Sequence, residues 1–118
     1  MQFEVDLYVI GDGNTLGEFT VAHGTLQIVA LKSQGHFLVR PLHLQQPTSV
    51  EDAITHFLTL LEGVKSAVTM RKCTLRVGVF FSAEKVAAFS VAMSQDLLEN
   101  LAAFRVDIDV TGYPCSEE

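Results

Sequence analysis

A chain of 118 residues argues for one domain, and a formal net charge of −6 with only 8 Lys and Arg in no stripe argues against a nucleic-acid binder, since phosphates demand clustered cations. Hydrophobic residues make up 48% and mean hydropathy is +0.30, high for a small monomer, so an apolar face shared with a partner is expected. No run approaches the ~20 apolar residues of a membrane span, and MQFEVDLYVI, without Lys or Arg and interrupted by Glu4 and Asp6, does not read as a signal peptide.

Residues 3–9 alternate Phe3, Val5, Leu7 and Val9 with Glu4, Asp6 and Tyr8, the pattern of a strand with one core face and one polar face. Gly11-Asp12-Gly13-Asn14 is a turn cluster; it lacks the pattern of a phosphate loop and the ligand spacing of an EF-hand. Residues 15–24 carry no clear period: Leu16, Phe19, Val21 and Ala22 suit a short strand or an irregular segment. Residues 26–32 and 36–44 around Ser33-Gln34-Gly35 predict a β-hairpin, with Pro41 placing its second strand at an edge or a bulge.

Thr48 with Glu51 three residues on predicts a capping box, and Val50, Ala53, Ile54, Phe57, Leu58 and Leu61 follow at helical spacing. Gly63 should bend this helix, which resumes to about Arg71. The stretch CTLRVGVFF, residues 73–81, is apolar at every odd position and predicts the central strand. Residues 86–91 predict a weaker edge strand. Ser94 caps a second helix with a stripe of Leu97, Leu98, Leu101 and Phe104. In the last strand Val106, Ile108 and Val110 oppose Arg105, Asp107, Asp109 and Thr111, and Gly112 and Pro114 should end it.

With the hairpin set aside, the order is β-α-β-β-α-β, a single α+β domain over residues 1–118 with a ferredoxin-like split sheet, an added hairpin at about 25–44 and two helices on one face. That order makes residues 3–10 and 73–81 central neighbours and pairs the last strand with the first. The hairpin then either extends the sheet or folds over its open face.

Several features between about residues 48 and 113 belong together: a helix ending LLEG with His56 in it, a strand ending in Phe80-Phe81, a LLENLA helix with Leu97-Leu98 after Ser94, and DIDV-x-x-Y with Asp107, Asp109 and Tyr113. This half resembles a family of small bacterial proteins catalogued as domain of unknown function 4279, although the chain lacks the tryptophan that such members often carry before the helix. The resemblance implies the fold and a bacterial source and carries no activity.

The densest chemical feature is a set of carboxylates. Glu4 and Asp6 share the outer face of the first strand, and Asp107 and Asp109 that of the last. If these strands pair, opposite carboxylates lie ~5 Å apart and need an offset: Arg76 and Arg105 as ion-pair partners, or a divalent cation on oxygen ligands. His23, His36, His43 and His56 form no HxH or HExxH, no nucleophile elbow occurs, and Cys73 and Cys115 fit no metal or catalytic spacing and read as reduced thiols. No cofactor is implied. The expectation is a non-catalytic cytoplasmic protein-interaction domain, a homodimer or bound to a protein partner, with toxin neutralisation through acidic surface as one version and no nucleic-acid or membrane role. The alternative is a small-ligand or divalent-metal domain on the carboxylate face, its pocket closed by the 25–44 hairpin.

Overall fold

The period-two pattern of residues 73–81 becomes the middle of a sheet. The computed structural model describes residues 1–116 apart from 13, 20–23, 34, 44 and 45 and the side chain of residue 16. In it β4 (Lys72–Ser82) is paired on both edges. On one side β1 (Gln2–Ile10) runs antiparallel, from Gln2 opposite Phe80 to Ile10 opposite Lys72. On the other β5 (Asp107–Cys115) runs parallel, from Asp107 opposite Thr74 to Cys115 opposite Ser82. The hairpin of β2 (Leu26–Ala30) and β3 (His36–Pro41) continues beyond β1, giving a five-stranded mixed sheet in the order β2-β3-β1-β4-β5.

The α+β class and the central β1–β4 pair agree with the pattern, and the hairpin extends the sheet. The two features that would make the order ferredoxin-like are not formed. Residues 86–91 carry no strand, and β5 lies beside β4 and not beside β1. The physical reason is Phe89. With small neighbours at Ala87, Ala88 and Ser90, this segment has little to offer a pleated surface, and Phe89 instead packs tilted on Phe81, ring centroids 5.2 Å apart, over the bare backbone of Gly112. Without a hairpin partner, β4 reaches β5 through a helical crossover, which delivers a parallel strand. Glycine and proline do not end β5, which runs through Gly112 and Pro114; proline is tolerated because β5 is an edge.

Helices α2 (Val50–Leu61) and α3 (Lys65–Thr69) pack against β4, and the remaining helices join the same core cluster on the side of the strand's odd positions. Helix α2 buries Ile54, Phe57 and Leu61, and helix α4 (Gln95–Phe104) buries Leu97, Leu101 and Phe104, in one cluster with Leu7, Val9, Leu75 and Val77. Each such side chain contributes about 1.5–3 kcal/mol on burial. The cap of α2 lies one residue later than expected. Ser49 Oγ accepts from Asp52 N at 3.0 Å, and Asp52 Oδ2 accepts from Thr48 N at 3.0 Å. Glu51 is thereby freed to accept from Ser94 N at 3.2 Å, tying the starts of α2 and α4 together. Ser94 caps α4 as expected, accepting from Leu97 N. Gly63 sits in a 3-10 turn (Glu62–Val64) that breaks the helix before α3 (Lys65–Thr69).

The illegible amino-terminal connection is a helical turn, α1 (Thr15–Phe19). Buried Thr15 accepts from Asp12 N through Oγ1 at 2.8 Å, and Phe19 enters the core. Arg71 donates from Nε to Glu18 at 2.8 Å and holds this turn to the end of α3; that hydrogen bond raises the Arg71 pKa and outweighs burial, which lowers it. Val21, Ala22 and His23 lie outside the described residues, as does Leu44 at the expected end of the hairpin. No helix among the described residues is long and apolar enough to cross a membrane.

A Cβ at residue 112 would stand 3.1 Å from Phe89 and 3.3 Å from Phe81. Gly112→Val should therefore destabilise by about 1–3 kcal/mol through overpacking. Phe89→Ala in the same chain should recover part of that loss. Denaturant unfolding of the two single variants and the double variant measures the coupling; strict additivity would remove Phe89 from this place in the fold.

Candidate functional site on the open sheet face

Helices cover one face of the sheet, and the even positions of β4 point to the other. Opposite Arg76 stand Asp6 on β1 and Asp109 on β5; opposite Gly78 stand Glu4 and Thr111; opposite Thr74 stand Tyr8 and Asp107. All four predicted carboxylates therefore share the open face. They are not cross-strand neighbours, however: β4 lies between the two pairs, so Asp6 and Asp109 are two strand spacings, about 10 Å, apart. The expected pairing of first with last strand is corrected, and with it the ~5 Å repulsion it implied.

The intervening strand supplies the countercharge. Arg76 holds Asp6 in a two-pronged pair, Nε to Oδ1 at 2.8 Å and Nη2 to Oδ2 at 3.0 Å, and also stands over the Tyr8 ring. The hydrogen bonding to Asp6 raises the Arg76 pKa, against partial burial, which lowers it. The side chains are 43% and 27% exposed, so water screens the pair and its net contribution is about 1 kcal/mol or less. Asp109 accepts from the Thr111 hydroxyl at 2.8 Å. Arg105, the other expected partner, is the left-handed cap of α4 at φ 57° and makes no ion pair among the described residues. No cluster of three or more His, Cys, Asp or Glu suited to a metal ion occurs among the described residues.

Around this charged row lie aromatic groups. Tyr8 and His36 share a hydrogen bond between the phenol oxygen and Nδ1. Phe80 and Tyr113 stack at 5.1 Å between centroids, and Gly78 beside them leaves a groove of about 230 Å³ bounded by Arg76, Asp109 and Thr111. Tyr8 was visible in sequence as the third member of the Glu4, Asp6 face. Tyr113 was not, because it was placed beyond the end of its strand.

A larger cleft, about 520 Å³, opens where β3 parts from β1 and is backed by α2. It is not the pocket expected under the hairpin, since the hairpin does not cover the open face. His43, past the end of β3, and His56 on α2 both line it, together with Asp52. Of the cysteines, Cys73 is buried and its thiol is pushed up to about 11 by desolvation, while Cys115 is exposed on β5.

Comparison with protein-family models, with curated proteins and with solved structures finds no match to the chain. The resemblance to domain of unknown function 4279 gains no support from it.

Two measurements check this geometry. In a double-mutant cycle, Asp6→Asn and Arg76→Met should couple by about 0.5–1 kcal/mol, less at high salt. Asp107→Asn, opposite Thr74, should stay within about 0.5 kcal/mol. A larger effect at Asp107 than at Asp6 would contradict the register. A thiol-reactive chromophore should label one cysteine rapidly in the native protein and the second only on unfolding, because the buried thiol is neither ionised nor accessible; rapid labelling of both would place Cys73 outside the core.

Proposed function

We propose that the chain is a non-catalytic cytoplasmic protein-interaction domain that self-associates through the open face of its sheet. The supporting observation is the one-sided covering of the sheet. Tyr8, Leu38, Phe80 and Tyr113 line the uncovered face with exposed Ile10, while every helix packs on the other side. Aromatic side chains around a central arginine suit the core of an interface, and the high apolar fraction of the chain points the same way. Neutralisation of a basic toxin would use the same face and the net acidity.

The second reading, a small-ligand domain, is favoured by the groove over Gly78, where a planar group would lie beside Phe80 and Tyr113 within reach of Arg76. Its divalent-metal form on Glu4, Asp6, Asp107 and Asp109 is disfavoured electrostatically, since a cation there would compete with the guanidinium of Arg76 for Asp6.

Sedimentation velocity tests the leading reading. The wild-type chain should sediment as a dimer, and Ile10→Glu with Tyr113→Lys should return it to a monomer that still melts cooperatively, because both positions are exposed, Ile10 opposite Lys72 and Tyr113 opposite Phe80. A wild-type chain that stays monomeric at its solubility limit overturns self-association.

A further inference from the structure

The pairing of β1 is unequal on its two edges. Toward β4 it is laddered from Gln2 to Ile10. Toward β3 the ladder covers only Leu7 to Ile10, ending at the Leu7–Val39 pair. Continued in register, Arg40 would face Asp6 and Pro41 would face Val5. Instead both residues pair only with β2, and Leu42 N follows them away, donating to Thr25 O at 3.0 Å. Proline has no N–H to give a ladder, so the place where β3 leaves β1 is set by Pro41. Along residues 3–6 the edge of β1 has no strand beside it among the described residues, and the 520 Å³ cleft lies against it.

The lining of that cleft is sorted by the pleat. Phe3 and Val5 face the helix side, where Phe57, Leu60 and Ala53 of α2 form an apolar wall. Glu4 and Asp6 face the open side. A bare strand edge with an apolar pocket on one side and carboxylates on the other fits one occupant. We propose that the cleft binds an extended peptide from a partner protein, which enters beside residues 3–6 as an added antiparallel strand. Its alternate side chains fill the pocket against Leu60, Phe3 and Val5, and the residue between them is basic and meets Glu4. The backbone edge supplies affinity and the two-sided lining supplies selectivity, as in other strand additions. Because Asp6 is already held by Arg76, Glu4 is the carboxylate that selects the cation. The cleft volume lies within the range of about 300–1,000 Å³ of formed ligand sites. This site borders the face assigned to self-association, sharing Glu4 and Asp6 with it, but its strand edge and apolar wall do not rest on that reading.

The probe is the capped peptide acetyl-Thr-Val-Lys-Val-Thr-amide, which sets Val, Lys and Val opposite Val5, Glu4 and Phe3. Amide resonances of residues 3–6 should shift on titration. Two N-methylated versions, blocking alternate peptide amides, should differ, one losing binding and the other keeping it, because only one set faces β1. Glu4→Lys should weaken binding about fivefold or more, since it removes an exposed pair and adds a repulsion, and a probe with Glu in place of Lys should recover it. His56→Trp, at an exposed helix position on the cleft wall, should block binding while leaving the melting temperature unchanged. Shifts centred on the β5 edge, equal binding of both N-methylated peptides as for a ligand held by side chains alone, or no binding at the solubility limit of the probe would each overturn the proposal. The same titration on the Ile10→Glu, Tyr113→Lys chain separates the two readings: binding retained by that chain leaves the cleft standing whatever the sedimentation result.

Discussion

A strand hydrogen-bonded on both edges and buried on one face has no freedom of register, and β4 is in that position. Cys73, Leu75, Val77 and Val79 are each at most 2% exposed. A slip of one residue would turn them out and carry Thr74 and Arg76 inward. Burying the guanidinium without its partners would cost far more than the screened pair with Asp6 contributes where it is. The apolar side of β4 thus sets where its charged side lies. Through pairing, it also decides which residues of β1 and β5 reach Arg76. The charged row on the open face follows from core packing and requires no strong attraction of its own.

Both surfaces given a functional reading arise where pairing or covering stops. The open face exists because α2, α3 and α4 crowd onto one side, and because residues 86–91 are drawn by Phe89 to the same side. The cleft exists because β3 stays with β2 and leaves β1 after Val39. Neither is a defect of packing: the core cluster beneath is continuous from Phe37 on β3 to Phe104 on α4. What each surface lacks is a further layer or strand.

Elements with strong periods were legible in the sequence: β1, β4, the two long helices and the Ser94 cap all stand where alternation or 3.6-residue spacing put them. The misreadings share a cause. Residues 86–91 suggest a strand only through Val86, Phe89 and Val91, and Phe89 meets a partner, Gly112, that no local pattern connects to it. Glycine and proline within β5 looked like a stop because a parallel edge strand tolerates what a central strand would not. The carboxylates were placed on the correct sides of their strands, since pleat parity is local. Their neighbours were missed because strand order is set by the long crossover through α4. Pro41 suggests an edge strand or a bulge; β3 is interior, and Pro41 marks the point at which it leaves one of its two partners.

The pair of Asp6 and Arg76 closes over 70 positions of sequence, and the β1–β4 ladder as a whole is comparably non-local. Contacts of that kind form late, because chain entropy must be spent before they repay it. On a ribosome adding about 5–20 residues per second, β1 and its hairpin emerge several seconds before β4 is complete. During that interval Phe3, Val5, Leu7 and Val9 form an alternating apolar strand whose main partner does not yet exist, the kind of segment that pairs with other chains. Glu4 and Asp6 interrupt it. In the nascent chain, before Arg76 has been made, these two carboxylates stand unneutralised and act as gatekeepers against strand-to-strand aggregation.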